Sequence, residues 1–379
     1  MPKILLLLCG LLACTNEKGE PSENTDDSAA PARRMPAEWE PQAAVWMQWP
    51  QRWEKSDEPD FARMVAAILR HEEVVVLVHD ADTRASAEAA LVEVGGLDPS
   101  VIAAGQSAEG HALRFETVPN DSAWMRDNGP RYVYVDGALH AQDWGFDGWG
   151  GAFGDIPYAA DDAVPAAVAA LEGLPMETVD LVHERGDLEV NGVDTVVLNW
   201  SVIGDPNRNP GLTPEAAEAA MRLHLGVSRV VMLEGAPSGD RTGGHTDGFV
   251  RFLDEERVVV GDCSASSACQ PGDADDAIYD DAALRLEAAG LTVLRWPYAT
   301  SVRYRGVNLD TNYLNWLVGN GFVIATGFGD PDADAAAQAQ LEDWFPGRTV
   351  YVIEMLESWY NGGGVHCHTN DMPLPTGWD

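Results

Sequence analysis

An order of elements that recurs about every 60 residues constrains this chain more than any single motif does. Residues 132–135 and 138–142, joined by Asp136-Gly137, have the alternation and the turn residues of a β-hairpin. A helix over 164–171 and a strand at 178–181 follow. The series returns with 188–190 and 195–198 around Asn191-Gly192, then a helix over 214–225 opened by Thr213 and Pro214, then a strand at 230–233. A third set pairs 249–253 with 258–261 and continues with helix 274–289 and strand 292–296. The fourth pairs 313–318 with 322–326 across Asn320-Gly321, with helix 333–344 and strand 349–353. Near the N-terminus, 45–49, helix 61–70 and strand 74–78 lack one hairpin strand, which the C-terminal segment around Cys367 can supply. The reading is α/β: five ββαβ units joined end to end into a propeller-like ring with pseudo-five-fold symmetry. Residues 82–118 add a helix and a strand to the same domain. An open α/β sheet is the rival, and antiparallel hairpins set between helices count against it.

Unusual polar residues precede each hairpin. Trp124-Met125-Arg126-Asp127 stands before the first and Glu184-Arg185-Gly186-Asp187 before the second. Gly244-His245-Thr246-Asp247 precedes the third, Asn308, Asp310 and Asn312 the fourth, and Gly362-Gly363-Gly364-Val365-His366-Cys367 enters the fifth. In a closed ring such equivalent positions face one axial site, and glycines beside them let the backbone approach a ligand. Of the cysteines at 9, 14, 263, 269 and 367, the first two lie in an N-terminal apolar segment. Cys263 and Cys269 are close enough to pair as a disulfide, which leaves Cys367 as a lone thiol.

The constellation is then Cys367, His245, Asp127, Asp247 and Glu184. A nucleophilic thiolate needs a base or a positive neighbour, and His245 can serve. On an extended segment His245 and Asp247 face the same way. Two carboxylates are the natural receptor for a planar guanidinium, and a third can orient the histidine and favour its cation. A guanidinium receptor facing a thiolate is a design for deimination. In His366-Cys367-His368, strand alternation would turn both imidazoles away from the sulfur, and without a paired Cys-x-x-Cys no metal is expected. Trp39, Trp46, Trp49 and Trp53 are read as core or rim packing.

With 24 basic and 61 acidic residues the formal charge is −37, and lysine occurs only at 3, 18 and 55. Nothing resembles a phosphate-binding stripe, so nucleic acid is excluded as a partner. Residues 1–14 carry one lysine before a short apolar run that ends Leu11-Leu12-Ala13-Cys14. This fits a lipoprotein signal in which Cys14 is acylated, with an ordinary secretory signal as the alternative. Residues 15–34 read as a flexible tether and 35–379 as the catalytic domain. The expected location is exported and lipid-anchored to a bacterial envelope, where an oxidising compartment suits the Cys263–Cys269 disulfide.

The whole resembles the agmatine deiminase and bacterial (Porphyromonas-type) peptidylarginine deiminase family, within the guanidino-group-modifying enzymes. The resemblance runs from Met35 to Pro373. It is carried by Met35-Pro36-Ala37-Glu38-Trp39-Glu40-Pro41, Trp46-Met47-Gln48-Trp49-Pro50, the run from Trp124 to Pro130, and the run Trp144-Gly145-Phe146-Asp147-Gly148-Trp149. Further along stand Asn207-Arg208-Asn209-Pro210, Gly244-His245-Thr246-Asp247, Tyr313-Leu314-Asn315, Phe328-Gly329-Asp330 and Gly363-Gly364-Val365-His366-Cys367. It implies a five-bladed α/β propeller, or pentein, in agreement with the repeat count. It implies Cys367 as nucleophile, His245 as general acid and base, and Glu184 paired with that histidine. Asp127 and Asp247 would hold the guanidinium, with Trp124, Asn315 and Gly364 at the substrate. No cofactor is required.

This chain has Glu184-Arg185-Gly186 where the family usually has Glu-Gly-Gly. Arg185 could crowd the site, bind a substrate carboxylate or point to solvent. Residues 120–124 are one longer than expected for agmatine enzymes, and His368 replaces a hydrophobic residue. No lysine or arginine lies between Arg131 and Arg185. There the peptidylarginine branch places carboxylate-reading arginines, so agmatine is favoured as the small cationic substrate. Export favours an arginine-containing peptide instead. Agmatine is placed first, and the reading leaves room for a homodimer. The remaining rivals are a cysteine hydrolase of another kind and a non-catalytic surface protein that binds guanidinium groups.

Overall fold

The computed structural model describes residues 32–264, 269–297 and 301–376. The signal segment, Cys14 and residues 15–31 of the tether lie outside the described residues. Within them, five sheets repeat one pattern: an antiparallel hairpin whose second strand takes a parallel partner after a helix. The pairs are Arg131–Val135 with Ala138–Gly145 and Met176–Val182, then Glu189–Val190 with Thr195–Asn199 and Arg229–Leu233. They continue with Val250–Phe252, Arg257–Asp262 and Thr292–Pro297, then Leu317–Gly319, Phe322–Gly327 and Thr349–Glu354. In the last sheet the C-terminal strand Thr369–Pro373 runs antiparallel to Gln42–Gln48, which pairs in parallel with Glu73–Val78. The missing strand of the fifth unit thus comes from the segment after Cys367, as the repeat requires.

Local chemistry explains the elements. Asp136 and Gly137 both take positive φ, at 50° and 86°, the conformation a two-residue hairpin needs. The Thr213 side chain caps helix Pro214–Leu225 by accepting from the Ala216 amide, with proline in the first turn. Central strands such as Glu73–Val78 are runs of valine because both faces are buried. Cys263 and Cys269 form a disulfide, with both residues buried.

Four features differ from expectation. Arg33 and Arg34, assigned to the tether, form a strand against Tyr134 and Val135, so the folded region starts inside that segment. Their anchors are ion pairs to Glu177 and Glu40, which hydrophobic patterning does not register. The strand expected over 313–318 is only Leu317–Gly319. The Leu314 amide donates to the Asn312 side chain and the Trp316 amide to the Leu314 carbonyl, and these local bonds replace the ladder. A separate ribbon pairs Val302–Tyr304 with Val307–Leu309 around Arg305 and Gly306. Finally, residues 82–118 hold two helices, Ala81–Glu93 and Pro99–Ala104, and a strand, Leu113–Thr117, that extends the fifth sheet in parallel.

Candidate active site

Single helical turns deliver the candidate residues, each just before the first strand of a unit. Met125–Asn128 carries Asp127, and Glu184 immediately precedes Arg185–Asp187. His245 precedes Thr246–Gly248, which carries Asp247, while His366–His368 carries Cys367. Asn315 occupies the matching place before Leu317–Gly319. The backbone at 245–247 and 366–368 is therefore turned rather than extended. Side-chain directions follow from the turns, and simple strand alternation does not apply at either place.

His245 lies between two carboxylates, with Nδ1 3.5 Å from Asp127 Oδ1 and Nε2 3.6 Å from Glu184 Oε2. All three residues are buried. Asp127 also accepts from Trp149 Nε1 at 2.8 Å, and Glu184 from Arg208 Nε at 2.9 Å. This packing needs Gly186: a Cβ there would meet Asp127 Oδ1 and His245 Nδ1, both at 2.5 Å. Burial works against a charged imidazole, but Asp127 and Glu184 outweigh it and push His245 up to about 10. Burial likewise works against an ionised Glu184, yet Arg208 and His245 hold it down at about 2. Burial, reinforced by Asp247 and only partly countered by His245, lifts Asp127 to about 6.

Cys367 Sγ lies 3.3 Å from Asn315 Nδ2 and 3.7 Å from Asp247 Oδ2. Burial, together with the carboxylates of Asp247 and Asp127, pushes its thiol well above the ordinary range. Asp247 stays below the usual carboxylate range although it is buried, because His366 binds it. These shifts favour a thiol at Cys367 and an imidazolium at His245 in the free protein. A cavity of about 270 Å³ opens onto this group, lined by Cys367, Asp247, His245 and Asn315, with Asp240 and Asp310 further toward solvent. Asp127, Glu184 and Trp124 stand behind that lining.

Two implied substrate contacts have other tasks here. A Cβ on Gly364 would run into the side chains of Thr326 and Asn315, so its glycine is explained by close packing. Trp124 stacks on His368 at 4.3 Å between centroids. His368 bonds Ser358 Oγ and the Ala123 carbonyl, and burial lowers it to about 4, so it fills aromatic space as a neutral ring. None of the three alternatives for Arg185 holds. It is buried, and its Nη2 reaches both oxygens of Asp371 at 2.8 Å. The longer segment before Trp124 is pinned by Asp161, which accepts from the Asp121 and Ser122 amides.

Sequence reasoning left Arg208 and Trp149 without roles, although both lie in motifs that carry the resemblance. Arg208 binds Glu184, Asp205 and the Thr242 carbonyl, tying the second unit to the loop before His245. Among the described residues no group of three or more His, Cys, Asp or Glu could hold a metal ion.

The chain is similar to known proteins over most of its length. The chain is 32% identical over 391 residues to an agmatine deiminase of Pseudomonas aeruginosa, covering 93% of this chain and 99% of that one. It is 33% identical over 370 residues to an agmatine deiminase of Pseudomonas putida, covering 90% and 95%. Among solved structures, agmatine deiminase of Enterococcus faecalis superposes with a TM-score of 0.76 at 25% identity, covering 92% of this chain and 99% of that one. A Campylobacter jejuni agmatine deiminase with substrate bound shares the fold, with a TM-score of 0.77 at 17% identity over 91% and 97% of the two chains. The profile of the Porphyromonas-type peptidyl-arginine deiminases matches residues 34–373, from the first strand to the strand after the thiol. The chain belongs to the Porphyromonas-type peptidyl-arginine deiminase family.

Proposed function

We propose that the protein hydrolyses agmatine to N-carbamoylputrescine and ammonia. The observation that carries this reading is the cavity: a thiol beside Asp247 at its inner end, and the carboxylates Asp240 and Asp310 toward solvent. A guanidinium is matched by Asp247 at the inner end, and a terminal ammonium by the outer carboxylates. A substrate carboxylate would meet like charge there. The cavity's one arginine, Arg241, lies over the Phe153 ring at 4.5 Å. Agmatine deiminases among the relatives support the same substrate.

The reaction follows from the protonation states. A guanidinium bound against Asp247, with the Asp127 carboxylate behind His245 adding to the negative potential, brings positive charge beside Sγ, which favours loss of the thiol proton to water. The thiolate bonds to the guanidinium carbon to give a neutral tetrahedral species. The His245 imidazolium then protonates one departing nitrogen as the C–N bond breaks. Ammonia leaves and a cationic thiouronium remains on Cys367. His245, now neutral, takes a proton from water as the oxygen adds to the same carbon. The C–S bond breaks, the added oxygen gives up its remaining proton to solvent as the ureido product leaves, and the Cys367 thiolate takes up a proton from solvent. Glu184, held ionised by Arg208, stabilises the imidazolium in both half-reactions.

Purified protein assayed against agmatine, free arginine and arginyl peptides is expected to form carbamoylputrescine from agmatine with kcat/KM at least about tenfold above any citrulline formation. Faster turnover of an arginyl peptide would move the assignment to the peptidylarginine alternative. The five units are taken to close as a five-bladed propeller, which the pairing of Thr369–Pro373 with Gln42–Gln48 supports. We also read the chain as an exported lipoprotein acylated at Cys14. The apolar N-terminal run and the Cys263–Cys269 disulfide support this. A diacylglyceryl mass on Cys14 is the expected finding, and an unmodified N-terminus elsewhere would sink it.

A further inference from the structure

His366 stands between the thiol and a group of buried arginines, and the proposed reaction does not use it. Its ring is almost wholly buried, with Nδ1 2.7 Å from Asp247 Oδ2 and Nε2 2.7 Å from Glu38 Oε2. Its amide donates to Asn315 Oδ1 at 3.0 Å, and its carbonyl accepts from Arg126 Nε at 3.2 Å. The ring thus sits on a backbone held at both its donor and its acceptor. Glu38 is braced in turn by Arg126 Nη2 at 3.4 Å and Arg251 Nη2 at 3.2 Å.

We propose that His366 is a positioning residue that sets the Asp247 carboxylate for the guanidinium, with Glu38 and the two arginines as its rigid support. This rests on the deiminase reading above. The terminal torsion of an aspartate is soft, so a buried carboxylate without a fixed donor samples several orientations. Asp247 Oδ2 faces both the His366 Nδ1 and the Cys367 sulfur. Held there, Oδ2 fixes the carboxylate plane and leaves Oδ1 for a substrate N–H. A neutral ring serves one of its two carboxylates and an imidazolium serves both. The Nδ1–H to Asp247 is the contact that matters for substrate. Metal ligation, the other reading of a His-Cys-His run, does not use this geometry, because both ring nitrogens are occupied by carboxylates.

The two ring nitrogens can be tested separately. His366→Asn keeps an amide N–H near the place of Nδ1, whereas His366→Gln keeps one near Nε2. With agmatine as substrate, His366→Gln is expected to raise KM and to lower kcat/KM roughly ten- to hundredfold, with His366→Asn within about threefold of wild type in KM. Both should melt below the wild type by similar amounts, since each loses one buried contact. Equal KM and equal kcat/KM for the two variants would overturn the proposal, whatever their common loss. Calorimetric binding of agmatine, with Cys367→Ala added to each protein, separates this from failure of the deiminase reading. Weaker binding for Gln alone supports positioning even without turnover, and identical binding in both variants rejects it. If the Gln variant does not fold, His366→Ala replaces it in the same comparison with His366→Asn.

Discussion

Replacing Cys367 with alanine is expected to reduce deimination of agmatine by about 10⁴-fold or more while leaving the melting temperature nearly unchanged. The sulfur contacts Asn315 and Asp247 at the cavity wall, and alanine keeps the backbone turn that carries it. No other thiol among the described residues is free. Residual turnover within about tenfold of wild type would exclude a covalent route through this residue. The same thiol has a pH signature. Because burial and two carboxylates raise it, its thiolate fraction is small at neutral pH and grows as pH rises. Alkylation of the Cys367 peptide by iodoacetamide should therefore still be accelerating above pH 9. A plateau near pH 7 would mean that the free enzyme already holds a thiolate, contrary to the charges around it.

Asp371→Asn is expected to destabilise the fold by about 3–5 kcal/mol, because it leaves buried arginines without their charge partner. Asp371 accepts from Arg126 Nη1 at 2.7 Å and from Arg185 Nη2 at 2.8 Å, and all three residues are buried. Arg126 keeps Glu38 and the His366 carbonyl after the change, but Arg185 keeps much less. For a domain of this size the loss corresponds to a drop in Tm of about 4–7 °C. Differential scanning calorimetry at neutral pH measures it. A cavity of about 20 Å³ borders Arg126, Arg185 and Arg251, large enough for one water. If the variant melts within a degree or two of wild type, water in that cavity already solvates the arginines.

These two residues also mark what can be read in the chain and what cannot. Cys367 is legible because counting isolates it and because its glycine-rich approach recurs in kind before other hairpins. The hairpins themselves are legible through Asp136-Gly137, Asn191-Gly192 and Asn320-Gly321, whose backbone needs are local. Asp371 and Arg185 give no such signal. Their bond joins residues 186 apart in sequence, and a charged pair buried between units resembles two surface charges when each is read alone. Arg185 after the family glutamate left crowding of the site, a substrate contact and a solvent position all open, yet its side chain turns into the interior. The short turns at Thr246–Gly248 and His366–His368 were hidden for another reason. Each is too brief for periodicity to register, although each sets where an imidazole, a carboxylate or a sulfur points.

The pairing of Thr369–Pro373 with Gln42–Gln48 also bears on how activity arises during synthesis. The nucleophile lies next to a strand whose partner was made roughly 320 residues earlier, a long-range closure of the kind that folds late. Asp127, Glu184, His245 and Asp247 emerge well before the sulfur they surround. Until that closure Asp247 also lacks its His366 contact, and Arg126 and Arg185 lack Asp371. One pairing between distant parts of the sequence thus places the sulfur and braces the carboxylate beside it.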